Sequence, residues 1–286
     1  MRGGGKRAAA LLLAPGVLLF AVFVIYPIAA SFVLSLQSWN GLGAKTWIGF
    51  GNYAELFSDH VFYTALANNL LWLGLNALAP VLGLGIAVLV NQAIPGIRIL
   101  RALFFLPFVI SAVVVGMVFG WFFNAEFGLL NALLAPLGAE LAPLDSEDGA
   151  IFAVIAAALW PQTAYCAILY LTGLMSLQPE LIDAARIDGA RGLRLLWQIV
   201  LPQLAPVNFI VALISVVSAL RGFDMVVIMT AGGPYDSSTV LAHYMYEQTF
   251  HASRYGYGAA IASVLFALMA AGVGFFLWRM LRREAA

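Results

Sequence analysis

The stretch QPELIDAARIDGARGLRLLWQIVLP, Gln178 to Pro202, decides how the rest of the chain is read. It is a polar run set between two long apolar ones. Pro179 suits the first turn of a helix, where its missing N–H costs nothing, and Glu180 and Asp183 favour that helix's positive end. Ala184 and Ala185 carry no bulk, so another protein's surface can come close to the helix backbone. Gly189 permits the positive φ that ends a helix and turns the chain. Beyond the turn, Leu193, Leu196, Trp197 and Val200 recur at three- and four-residue spacing, which predicts an apolar stripe on a second short helix. Pro202 then restarts the chain toward the next apolar run.

Those flanking runs follow the composition of the whole chain. Of 286 residues, 63% are hydrophobic and 10% charged, whereas soluble domains carry about a quarter charged residues. The chain therefore reads as resident in a bilayer. Six runs come near the ~20 residues needed to cross ~30 Å of hydrocarbon: 11–36, 64–90, 102–123, 150–176, 204–230 and 259–281. The first follows Arg2, Lys6 and Arg7 as a signal peptide would. Its apolar run is too long for one and no small-residue cleavage site follows it, so an uncleaved helix is expected. The net charge of zero argues against a nucleic-acid partner. Cys166, the single cysteine, has no intrachain disulfide partner.

Basic residues set the orientation. An even number of spans puts both termini on one side. That side collects Arg2, Lys6, Arg7, Arg98, Arg101, Arg186, Arg191, Arg194, Arg279, Arg282 and Arg283, against Lys45 and Arg254 opposite, where acids such as Glu126, Glu140, Asp145, Glu147 and Asp148 gather. Both termini and the loop 178–202 are expected to be cytoplasmic.

The order acid, two alanines, three residues, glycine, then Ile199, Leu201 and Pro202 resembles the EAA loop of binding-protein-dependent ABC importer permeases. Asp183 stands where that family usually has Glu. The segments WIGFGNYAELFSD (47–59) and RALFFLPFVISAVVVGMVFGWFFNAEFGLLNALL (101–134) resemble the carbohydrate branch, as does TAGGPYDSSTVLAHYMYEQTF (230–250). In the last, Gly232, Gly233 and Pro234 signal a turn, and Thr239 to Phe250 suits an interfacial helix. The resemblance implies an all-α membrane protein, 1–286 as one transmembrane permease domain of the type I importer fold, in a bacterial or archaeal cytoplasmic (inner) membrane. It implies docking to an ATPase through Asp183, Ala184, Ala185, Asp188, Gly189, Leu193, Leu196 and Trp197. The implied partners are a second permease, two ATPase subunits, an external binding protein, a sugar or glycerol-phosphate-type substrate, and lipid.

No GxxxxGK[ST] phosphate loop occurs, so the chain is expected to be no enzyme and to hold no cofactor, with ATP and magnesium in the partner ATPase. His60, His243 and His251 have no metal-site spacing. The rival reading is a secondary transporter. It would want internal repeats and several buried carboxylates, yet no repeat relates 1–143 to 144–286 and Asp224 is the only carboxylate in the six runs.

Polar residues within those runs are the candidates for a substrate pathway, since an ionised group at mid-bilayer costs roughly 2.5–3.5 kcal/mol and must face protein or water. Arg221 and Asp224, three apart, are expected on one helix face, either locking the helix as an ion pair or meeting substrate. Around Pro161, an expected kink, Trp160, Gln162 and Tyr165 supply the aromatic faces and hydrogen bonds that suit sugars, though Trp160 also suits plain packing. The resemblance puts the transport cavity along the helices beside the loop, with Tyr165 facing it. Asn76, and Asn68 and Asn69 at the start of the same run, are weaker candidates, since amides also join helices. Pro107 either kinks the third run, with Ser111 and its neighbours able to satisfy freed backbone groups, or is simply tolerated.

Overall fold

The computed structural model describes residues 3–92 and 94–284, with side chains left out at 3–11, 280, 281, 283 and 284. Arg2 and Ala286 lie outside the described residues, as do the side chains of Lys6, Arg7 and Arg283. The described chain is almost wholly helical, as the apolar runs predict, with one two-residue hairpin in which Gln37 pairs with Trp47 and Ser38 with Thr46. Among the described residues four helices are long and apolar enough to cross a membrane, Leu12–Ser35, His60–Val90, Ala150–Met175 and Tyr255–Arg279, and six if each of two bent pairs is one span.

The chain forms two compact units. The first comprises Met1–Phe62 and Tyr244–Ala267. Its long helix Leu12–Ser35 buries almost nothing, leaving Leu12, Phe23 and Tyr26 among its exposed apolar groups, as suits a helix whose solvent is lipid. Polar contacts close the segment after it. Asn52 Nδ2 donates to the carbonyls of Ser35 and Gln37 at 2.8 and 3.0 Å, and the Ser35 and Tyr53 hydroxyls are 2.7 Å apart. Arg254 holds both carboxylate oxygens of Glu55 at 2.6 Å and lies over the Tyr257 ring. Asp59 accepts from the hydroxyls of Tyr244 and Tyr257 and, at 2.9 Å, from the Val61 N–H.

The second unit comprises Tyr63–His243 and Leu268–Ala286. Helix Ala150–Met175 is its axis: 56% of its most apolar window is buried, the largest share of the four. Small residues make this possible. A Cβ on Gly83 would lie 2.6 Å from Cys166 Cβ and 2.9 Å from the Ala167 nitrogen, so the two helices cross with their backbones nearly touching. Two cores form along the axis. Trp72, Val115, Val154, Ile155 and Val226 pack in one; Ala79, Val90, Tyr170, Leu204 and Val211 pack in the other.

The helices break elsewhere than at Pro107 and Pro161. The third run is two helices, Ile97–Val109 and Ala112–Phe122, meeting at 99°. Pro107 sits inside the first without ending it. The bend comes at Ile110 and Ser111, both extended, and the Ser111 hydroxyl caps the new helix by accepting from the Val114 N–H at 3.4 Å. Pro161 likewise lies inside an unbroken 26-residue helix. The fifth run divides into Ala205–Leu220 and Phe223–Met229 around Arg221 and Gly222. The turn toward it comes at Leu204, two residues past Pro202, where helix Gly192–Gln203 meets Ala205–Leu220 at 81°.

Candidate functional site: a docking turn and a polar cavity

The loop 178–202 folds as helix, turn and helix. Helix Pro179–Ile187 ends in a complete Schellman closure: the Ala190 N–H donates to the Ala185 carbonyl at 2.9 Å and the Gly189 N–H to that of Arg186 at 3.1 Å. Gly189 takes φ +86° to allow it, with nothing within 4 Å of where a Cβ would be. Backbone conformation, not space, requires the glycine.

The apolar stripe beyond the turn divides between two faces. Val200 is buried, and Leu196 and Val200 join the core containing Leu204. Leu193 and Trp197, four apart, point outward, 73% and 67% exposed, and Ile187 is 86% exposed. Ala184 and Asp188 are open, Ala185 is buried, and Asp183 pairs with Arg186 at 3.2 Å on the surface. An exposed pair of this kind contributes little stability. The loop thus shows an unpaired apolar face on a rigid turn.

A cavity of about 260 Å³ opens in the second unit, and Asn76, Gln162, Tyr165, Arg221 and Asp224 all line it. Asn76 is fixed by a 2.8 Å bond to the Ser215 carbonyl, and Gln162 by a 3.4 Å bond to the Ser215 hydroxyl. Tyr165 stacks on Phe108, centroids 4.9 Å apart. Trp160 does not line this cavity; 40% exposed, it meets the Phe119 ring edge-on at 5.7 Å.

The expectation for Arg221 and Asp224 is corrected in one respect. They are not on one continuous helix: Arg221 caps Ala205–Leu220 and Asp224 opens Phe223–Met229. Among the described residues they make no ion pair, and both are exposed to the cavity. Gly222 sits at the break because a Cβ there would come within 2.6 Å of the Trp72 ring.

Trp72 and Phe108, two walls of the cavity, are absent from the sequence candidates. Trp72 is one helical turn before Asn76, so the i, i+4 rule carried back from Asn76 finds it. No local signal marks Phe108. Asn68 and Asn69, by contrast, hold a loop: Asn68 Nδ2 donates to the Ser237 and Thr239 carbonyls at 2.7 and 2.8 Å, and Asn69 Oδ1 accepts from the Leu241 N–H at 2.8 Å. The expected helix over Thr239 to Phe250 is observed as Leu241–Tyr246 followed by a wider-wound stretch Glu247–His251.

Comparison with known proteins decides the family. The model of the family described as "Binding-protein-dependent transport system inner membrane component" matches residues 79–283. The chain belongs to this family. The permease is 36% identical over 255 residues to the probable ABC transporter permease protein YurN of Bacillus subtilis (strain 168), covering 87% of each chain. It is 34% identical to the sulfoquinovosyl glycerol transport system permease protein SmoG of Agrobacterium fabrum (strain C58 / ATCC 33970), covering 93% of this chain and 87% of that one. Its fold is similar to that of a chain in the crystal structure of a bacterial alginate ABC transporter in complex with alginate pentasaccharide-bound periplasmic protein. There the TM-score is 0.82 at 22% identity, over 95% of this chain and 93% of that one. The permease thus has the all-α importer fold that its loop and six apolar runs predict.

Proposed function

We propose that this permease forms half of the translocation pathway of an ABC importer for a sugar or oligosaccharide handed over by an external binding protein. A second permease supplies the other half, and two ATPase subunits, carrying ATP and magnesium, dock on the cytoplasmic loop 178–202. In this reading Asp183, Ala184, Ala185, Asp188 and Gly189 form the docking turn, and Leu193 and Trp197 enter the ATPase. The chain sits in the cytoplasmic membrane with both termini inside, following its basic residues. Closure of the ATPases moves the docking turn and rocks the helices, so that the cavity opens to each side in alternation.

One observation carries the reading. Asn76, Gln162, Tyr165, Arg221 and Asp224 come from three apolar runs yet line a single cavity. Polar and charged groups within such runs are costly unless they face a water-filled path. The names of the relatives support a carbohydrate as cargo.

The test is reconstitution. The complex purified through a tag on this chain, placed in liposomes with its binding protein, should show ATP hydrolysis stimulated by the loaded binding protein and ATP-dependent sugar uptake. A chain that purifies without an ATPase, and whose uptake follows an ion gradient instead, would sink the proposal.

A further inference from the structure

We propose that the cavity selects an uncharged sugar ring, with a vicinal diol held between the Arg221 guanidinium and the Asp224 carboxylate. The inference rests on reading the cavity as the transport path and names the class of cargo it takes.

Both side chains line the cavity and both are exposed to it. The break at Gly222 takes them off a common helix, and they make no ion pair within 4.0 Å among the described residues. At the break the Trp72 ring, itself only 3% exposed, occupies the space where residue 222 would carry a side chain, so glycine is required there. Two opposite charges are thus kept available on one wall.

An arginine offers only donors and a carboxylate only acceptors. A hydroxyl both donates and accepts, so two adjacent hydroxyls satisfy both groups at once. A phosphate or carboxylate on the cargo would gain Arg221 but meet Asp224 in the same 260 Å³ space, and an ammonium would meet the reverse. Neither gains in net charge interaction. The remaining wall fits a sugar: Phe108 and Tyr165 offer apolar area for C–H faces, and Asn76 and Gln162, whose amide nitrogens are held by Ser215, add polar edges. The volume is near the lower end of the ~300–1,000 Å³ common for small-ligand sites, so this chain encloses about one ring.

The experiment uses the complete importer in liposomes with its binding protein, offered a mixture of neutral saccharides, uronates and sugar phosphates. ATP-dependent accumulation is read by mass spectrometry. The accumulated compound should be uncharged, and Asp224→Asn and Arg221→Gln should each lower its uptake at least tenfold in complexes that still contain the ATPase. Removing one hydroxyl of the diol from that sugar should lower wild-type uptake about tenfold and uptake by the variant that has lost its partner less than twofold. Accumulation of a uronate or sugar phosphate overturns the neutral-cargo assignment and leaves the transport reading intact. Wild-type uptake by both variants, or equal loss for the deoxy sugar in wild type and variant, overturns the role of the two charges. If nothing accumulates with ATP, the transport reading itself fails, and this inference with it.

Discussion

Tyr165 and Phe108 stack with ring centroids 4.9 Å apart and planes inclined by 15°, on the wall of the cavity. Phe108 comes from the helix that breaks two residues later, at Ile110, while Tyr165 lies four residues past Pro161 on the unbroken axis helix. One face of the tyrosine is therefore covered by the protein's own ring.

That arrangement separates two contributions. Tyr165→Phe keeps the stack and loses one hydrogen bond, so uptake should fall several-fold. Tyr165→Ala loses both, each on the order of 1 kcal/mol, and uptake should fall by one to two factors of ten while the complex assembles. Measured sugar uptake unchanged in both variants would remove Tyr165 from the path.

Gly189 is needed for its φ of +86°, not for space. Asparagine tolerates that conformation and valine does not. Gly189→Asn should retain ATPase co-purification and uptake, whereas Gly189→Val should lose both with membrane insertion intact. Equal behaviour of the two variants would mean that the turn's backbone does not govern docking.

Asp59 links acidity to the first unit. Burial pushes its carboxyl up, but hydrogen bonds from Tyr244, Tyr257 and the Val61 and Phe62 backbone outweigh burial and hold it below the usual carboxylate value. Burial, and then the bond given to Asp59, push the Tyr244 hydroxyl up, so it stays a donor. A carboxylate depressed in the fold stabilises above its unfolded pKa, and that stability is lost as pH falls through the folded value, here below pH ~4. Thermal melts from pH 6 to 3 should show a loss at the acid end that is smaller in Asp59→Asn. In Tyr244→Phe, which removes one of the bonds that lower the Asp59 value, the loss should also be smaller than in the wild type. An identical pH profile in all three proteins would contradict this account.

Orientation is testable by chemistry. Ser146 is exposed, in the stretch just before the axis helix. A cysteine placed there should react with an impermeant reagent on intact cells, or on spheroplasts where an outer membrane is present, and a reporter fused after Ala286 should be cytoplasmic. Labelling of Ser146→Cys only after the cytoplasmic membrane is permeabilised would invert the topology.

The apolar runs, the turn at Gly189 and the family were legible in the sequence because each is local. A run of ~20 apolar residues fixes a span by its own hydropathy, and Gly189 fixes a turn by its own backbone freedom. The candidates Asn76, Gln162, Tyr165, Arg221 and Asp224 were legible for a related reason: polar groups stand out in apolar runs. Tertiary structure alone decided which of them meet. Trp160 is not among the cavity's walls, while Trp72, beside Asn76, and Phe108, from another helix, are. It also decided where helices break. Hydropathy averages over a window and passes smoothly through Ile110 and Arg221, whereas the breaks coincide with single local contacts: the Ser111 cap, and the Trp72 ring that leaves no room for a side chain at Gly222.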